Sequence, residues 1–118
     1  MSASIEPRSG LYHSWGFGEH NWNTGMDANL LRLGRFGFHL SAKSRVSEPP
    51  LSPADGDTYI VASGANDWAG LDGRVMVWDA SSSTWVDAVP RIGWVCYVED
   101  EEKLCVFKAA GWSVGVAI

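Results

Sequence analysis

Arg74-Val75-Met76-Val77-Trp78-Asp79-Ala80-Ser81-Ser82-Ser83-Thr84-Trp85-Val86-Asp87-Ala88-Val89 decides the fold class. Two runs of β-branched and aromatic residues flank four small ones, the pattern of two strands joined by a short turn. An echo follows about 29 residues later. Val106-Phe107-Lys108, then Trp112 after Ala109-Ala110-Gly111, repeats Val77-Trp78-Asp79, then Trp85. Two copies of a strand–turn–Trp unit are too few for a propeller or solenoid. They predict a meander in which each hairpin contributes a Trp to a shared layer.

Working outward, Thr58–Ala62, Trp94–Glu99, Lys103–Lys108 and Gly111–Val116 also read as strands. Before them, Glu48-Pro49-Pro50-Leu51-Ser52-Pro53-Ala54-Asp55-Gly56-Asp57 forbids helix and predicts an extended connector that ends in an Asp-Gly turn. Met26 to Arg35 is the one helical segment: Met26, Leu30, Leu31 and Leu33 recur near helical spacing, Thr24 or Asp27 can cap it, and Gly34 can stop it. Phe36–Ala42 alternates as a short strand would. Residues 1–25 carry Leu11, Tyr12, Trp15, Phe17 and Trp22 without periodicity and read as an irregular arm or short strand. The expected fold is mainly β: a small antiparallel sheet or meander, one short N-terminal helix and an irregular N-terminal arm. The expected segments are 1–25 for the arm, 26–45 for the helix and strand, and 46–118 for the β-rich domain.

Cys96 and Cys105 match no zinc spacing. A three-residue loop at Asp100–Glu102 would set Glu99 opposite Lys103, a favourable pair. It would also set Cys96 opposite Val106 and Cys105 opposite Tyr97, on opposite faces, and no disulfide would form. A two-residue turn would instead place the two cysteines face to face. The three-residue loop is the expectation.

With 46% hydrophobic and 19% charged residues, the 118-residue chain is globular. Its formal charge of −5 and scattered Lys and Arg argue against nucleic acid as a partner, because phosphate contact needs a basic face. No window approaches the ~20 apolar residues of a membrane-spanning helix, so no membrane insertion is expected. The polar start, Met1 to Arg8, lacks a signal peptide's apolar stretch, which implies synthesis in the cytoplasm.

Candidates for chemistry are weak. His13, His20 and His39 lack ligand spacing. Asp55-Gly56-Asp57 and Asp72-Gly73 lack the further acids of a calcium loop. Ser81-Ser82-Ser83-Thr84 sits in no nucleophile motif. Asp67, Asp72, Asp79, Glu99 and Asp100 read as loop acids rather than a paired hydrolytic set. No enzyme, cofactor or metal site is expected. The seven Trp divide. Trp78, Trp85, Trp94 and Trp112 fall on strands and are assigned to the core. Trp15, Trp22 and Trp68 lie in less regular segments, where an interface, a sugar contact or plain packing each suits an indole.

Five stretches in order carry a resemblance: Trp22-x-x-Gly25-Met26-x-x-Asn29-Leu30-Leu31-x-Leu33, Pro50-x-Ser52-Pro53-x-Asp55-Gly56-Asp57-x-Tyr59-Ile60-Val61, Trp68-Ala69-Gly70-x-Asp72-Gly73, Pro90-Arg91-x-Gly93-Trp94 and Val98-x-Asp100-Glu101-x-x-Leu104-x-Val106-Phe107. Over about residues 20–115 the chain resembles a domain of unknown function common in alphaproteobacterial prophages and gene transfer agents. The resemblance implies a virion protein, a head-spike, fibre or tail-fibre component, assembled as a trimer with other virion proteins and used to meet the cell envelope. Two positions depart from that family, Glu102 where Gly is usual and Ile92 where an acid is usual; the first implies a different loop conformation. The end at Ile118 is expected to favour a base, adaptor or minor decoration protein over a distal fibre.

These readings combine into one expectation. Tyr12, Trp15, Trp22, Met26, Leu30, Leu31 and Leu33 form a homo-oligomer or attachment interface, with residues 26–35 near the oligomer axis and the β part presented outward. Trp68 is the candidate contact to host polysaccharide. The alternative is a monomeric carbohydrate-binding module that uses exposed Trp.

Overall fold

A computed structural model describes residues 3–118. The chain falls into two compact units that divide between Phe38 and His39. The strand expected to accompany the helix therefore groups with the β-rich part, and the arm groups with the helix.

The first unit opens with a hairpin. β1 (Ser4–Ile5) pairs antiparallel with β2 (Tyr12–His13), in the register Ser4 to His13 and Ile5 to Tyr12. Glu6 organises the turn between them. Its carboxylate accepts the backbone N–H of Arg8 (2.8 Å) and of Ser9 (2.9 Å), and these bonds, Arg8's foremost, hold its pKa down at about 2. Helix α1 (Trp22–Arg32) follows. It starts four residues before the expected Met26, and Asn21, in the left-handed region without a side-chain cap bond, precedes it instead of Thr24 or Asp27. Gly34 does not stop it. A wider turn of π type continues over Leu33–Gly37 and closes with Phe38 N–H to Leu33 O at 3.1 Å. That continuation overrides the alternation read in Phe36–Ala42, of which Ser41–Ala42 alone is strand.

The second unit holds β3 (Ser41–Ala42), β4 (Ser44–Val46), β5 (Thr58–Val61), β6 (Val75–Asp79), β7 (Thr84–Ala88), β8 (Val95–Val98), β9 (Lys103–Lys108), β10 (Gly111–Trp112) and β11 (Val116–Ala117). The strand bounds agree with the expected runs within a residue or so, except the last, which Ser113–Gly115 breaks in two. The topology is richer than one meander. Sheet one has the order β4-β5-β6-β7; sheet two has β10-β9-β8-β3, with β11 also paired to β9. β3 runs parallel to β8, and β4 parallel to β5. Lys43 alone separates β3 from β4. Its N–H donates to Thr58 O of sheet one (2.8 Å) and its carbonyl accepts Asp100 N–H beside sheet two (3.3 Å), so one short extended segment joins both sheets.

Alternation along sheet one sorts its faces. Ile60, Val75, Val77 and Ala88 are buried on one face. Met76, Val61 and Tyr59 lie on the other, where the 3-10 turn Asn66–Trp68 covers them. Sheet two buries Cys96, Val98 and Cys105 together with Ala42. Arg45 bridges the sheets. It directly neighbours Ile60 across the β4–β5 ladder, and its guanidinium holds Glu101 by two bonds (2.9 and 3.1 Å), Ser113 O (2.8 Å), Val114 O (2.9 Å) and the Cys105 sulfur (2.8 Å).

The cysteine register differs from the expected one. Cys96 faces Cys105, and Val98 faces Lys103. The turn is Glu99–Glu102, closed by Glu102 N–H to Glu99 O at 3.3 Å. The expected Glu99–Lys103 pair gives way because the loop acids are held by the β3–β4 segment. Ser41 Oγ donates to Glu99 (2.8 Å), Ser44 Oγ to Asp100 (2.6 Å), and Arg45 grips Glu101. Glu102 has φ +51. The loop thus takes the left-handed turn that a glycine would favour, and not a different conformation. Both thiols are free and buried.

Candidate functional site

In the first unit, α1 faces its own hairpin with polar groups. Asn29 is buried, and its side chain brackets the Tyr12 peptide, accepting Tyr12 N–H at 2.6 Å and donating to Tyr12 O at 2.8 Å. One turn on, Arg32 Nε donates to Ser9 O, and its guanidinium lies 5.8 Å from the Phe36 ring. The apolar side chains point elsewhere. Trp22, Leu30 and Leu31 are 52, 60 and 54% exposed. Met26 and Leu33 are half-buried. At 100° per residue, Trp22, Met26, Leu30 and Leu33 form one flank of the helix, with Leu31 apart from it. An ordinary surface helix buries its apolar stripe; here Asn29 takes the buried position, and Trp22, Leu30 and Leu31 are left exposed. Tyr12 and Trp15 are half-buried beside them in the sequence-predicted set, and Trp15 Nε1 is buried without a hydrogen-bond partner.

In the second unit, the Trp assignment is inverted. Trp68, the candidate sugar contact, is 2% exposed and sits in the core cluster with Val61 and Met76. The correction has a physical cause: a 3-10 turn sets its indole down onto the free face of sheet one, where Trp85 meets it edge to face at 5.2 Å. Trp78 and Trp85, assigned to the core, are half-buried and line an open groove of about 510 Å³ with Asp67, Arg74 and Asp87. They are cross-strand partners, 5.2 Å apart at 63°, and Tyr59 packs on Trp85 at 5.9 Å. Three such contacts on one indole contribute ~0.5–1.5 kcal/mol each beyond burial. Arg74 Nη1 pairs with Asp87 Oδ2 at 2.6 Å. The pairing of Trp78 with Trp85 was readable in principle: a hairpin centred between Ser81 and Ser82 puts these two residues opposite each other.

The echo at Phe107 and Trp112 is also a cross-strand pair, with rings 5.3 Å apart, but it belongs to sheet two and not to a shared layer. Trp112 Nε1 donates to Gly73 O at 2.8 Å. On the other face of sheet two, Val95, Leu104, Val106 and Val116 are exposed, a second apolar surface that the fold leaves uncovered.

The turn acids have local work. Asp57 accepts Ala54 N–H (2.9 Å) and pairs with Lys43 (2.9 Å), Asp55 accepts Ala80 N–H (3.1 Å), and Asp72 accepts Gly64 N–H (2.6 Å). Lys43 Nζ lowers the Asp57 pKa, and Asp57 in turn raises that of Lys43. Among the described residues no three His, Cys, Asp or Glu side chains gather as metal ligands, and no helix is long and apolar enough to cross a membrane. Burial pushes the Cys96 thiol up to about 12 and also raises that of Cys105, so both stay protonated at neutral pH.

Residues 26–113 match a family described as a protein of unknown function, DUF2793. The chain belongs to the DUF2793 family. No curated protein and no solved structure matches it. The DUF2793 match begins within α1 and ends just past β10. It takes in Met26, Leu30, Leu31 and Leu33 and the whole ring-lined groove, while Tyr12, Trp15 and Trp22 lie before it.

Proposed function

We propose that this chain is a structural component of a virion-like particle, a head-spike, fibre base or tail-fibre adaptor that assembles through its N-terminal unit. The observation that carries the reading is the uncovered apolar part of α1: Asn29 and Arg32 serve the hairpin, while Trp22, Leu30 and Leu31 stand in water. Leaving large apolar side chains exposed costs roughly 1 kcal/mol for each half-covered one, and a neighbouring copy removes that cost. The resemblance to phage and gene-transfer-agent proteins supplies the particle, and a trimer is the stoichiometry it implies.

Size exclusion with light scattering tests this. The wild-type chain runs as an oligomer, a trimer in this reading, and Leu30→Asp with Leu31→Asp runs as a folded monomer. A monomeric wild type at tens of micromolar concentration sinks the proposal. Localisation of the chain in a particle map then tests the virion assignment itself.

The groove favours a second reading, that the β unit binds carbohydrate, either on the particle's behalf or as a monomeric module. Ring faces beside paired polar groups suit a sugar, whose ring has apolar and hydroxyl-bearing sides.

A further inference from the structure

We propose that the groove over Trp78 and Trp85 is a binding site for a neutral hexose chain. The inference rests on the second reading above and deepens it, by naming the residues and the class of sugar.

Three properties of the site point this way. First, the rings are held but not covered. Trp85 is fixed by Trp68, Tyr59 and Trp78, yet Trp85 and Trp78 remain half-open to the groove, whereas Trp68 shows what full burial looks like in the same cluster. A rigid, partly open indole offers stacking area at low entropic cost. Second, polar groups of both kinds border the rings. Arg74 keeps donors beyond the one used by Asp87, Asp87 keeps its second oxygen, and the exposed Asp67 adds a carboxylate. Donors and acceptors side by side match vicinal hydroxyls. The Arg74–Asp87 pair, with side chains 35 and 39% exposed, contributes ~0–1 kcal/mol to stability, so folding alone gives little reason for it.

Third, the charge selects. Two carboxylates against one guanidinium leave the groove negative, on a chain of formal charge −5. Uronate or sulfated polymers would meet repulsion there. A neutral hexose chain meets none. The groove's volume of about 510 Å³ lies in the usual range for small-ligand sites, ~300–1,000 Å³.

The test uses the full chain on a glycan array of neutral hexose polymers and uronic-acid polymers, with titration calorimetry on the best hit. The expected result is binding to a neutral polymer that weakens about tenfold or more in Trp78→Ala and in Arg74→Met. Thermal melts report folding. If Trp78→Ala fails to fold, Arg74→Met decides, because it removes only the guanidinium from the rim. Binding to a neutral polymer that neither folded variant weakens overturns the site and leaves the carbohydrate reading standing. Preference for uronic-acid polymers overturns the sugar class. Binding to no glycan overturns both the site and the carbohydrate reading, while the oligomer measured by light scattering stands apart from either result.

Discussion

Glu102 has φ +51 in a turn whose other groups are well held. A residue with a Cβ is strained there by roughly 1 kcal/mol relative to glycine. Glu102→Gly is therefore expected to stabilise the chain by about 0.5–1 kcal/mol in urea unfolding, despite the added freedom of the unfolded state; a destabilised variant would show that the Glu side chain contributes more than its backbone costs. The buried thiols make a second expectation at this scale. With the Cys96 pKa at about 12 through burial, the reactive thiolate is scarce at pH 8. Iodoacetamide should label neither cysteine of the native chain over minutes and both after unfolding. Rapid native labelling would show that sheet two opens. Neither feature was legible beforehand. Register and φ depended on Ser41, Ser44 and Arg45, which lie more than fifty positions from the turn.

Among elements, the β3–β4 segment does the most joining. It pairs with sheet two through Ser41 and Ala42 and with sheet one through Ser44, Arg45 and Val46. Arg45 extends that role to the segment between β10 and β11 by holding Ser113 O and Val114 O. Arg45→Ala should destabilise the second unit by ~2 kcal/mol, since it strands Glu101 and two carbonyls without their donor; the part-exposure of Glu101 limits the loss. Amide exchange at Val116 and Ala117 of β11 should quicken before that of β9 does. Arg45→Lys should restore little, because one ammonium cannot reproduce the forked contacts. An unchanged melting curve for Arg45→Ala would remove the segment's status as the joint. The strands themselves were legible from alternation and turn residues, to within a residue at most ends. The helix was less so. Its start at Trp22 follows Asn21 in the left-handed region, and its docking on the hairpin through Asn29 and Arg32 is a contact that helical periodicity does not encode.

For the whole molecule, every ladder of both larger sheets lies within residues 39–118. That fragment should unfold cooperatively by itself and keep the near-ultraviolet circular dichroism of its indole cluster, while losing self-association; a fragment without that signal would mean the second unit depends on the first. The sequence by itself determined the β-rich class, the extended connector, the positions of most strands and the short helix. Those features rest on local rules, in which side-chain alternation, proline and glycine act on neighbouring residues. The tertiary structure alone decided the two parallel pairings, the facing cysteines, the polar docking side of α1, and which indoles are covered. Each of these turns on contacts between residues far apart in the chain, where burial and hydrogen-bond partners outweigh local preference. Trp68 and Trp85 state the difference: seventeen residues apart and chemically alike, one is shut into the core by a single turn of backbone, and the other stands half-open on the rim it helps to build.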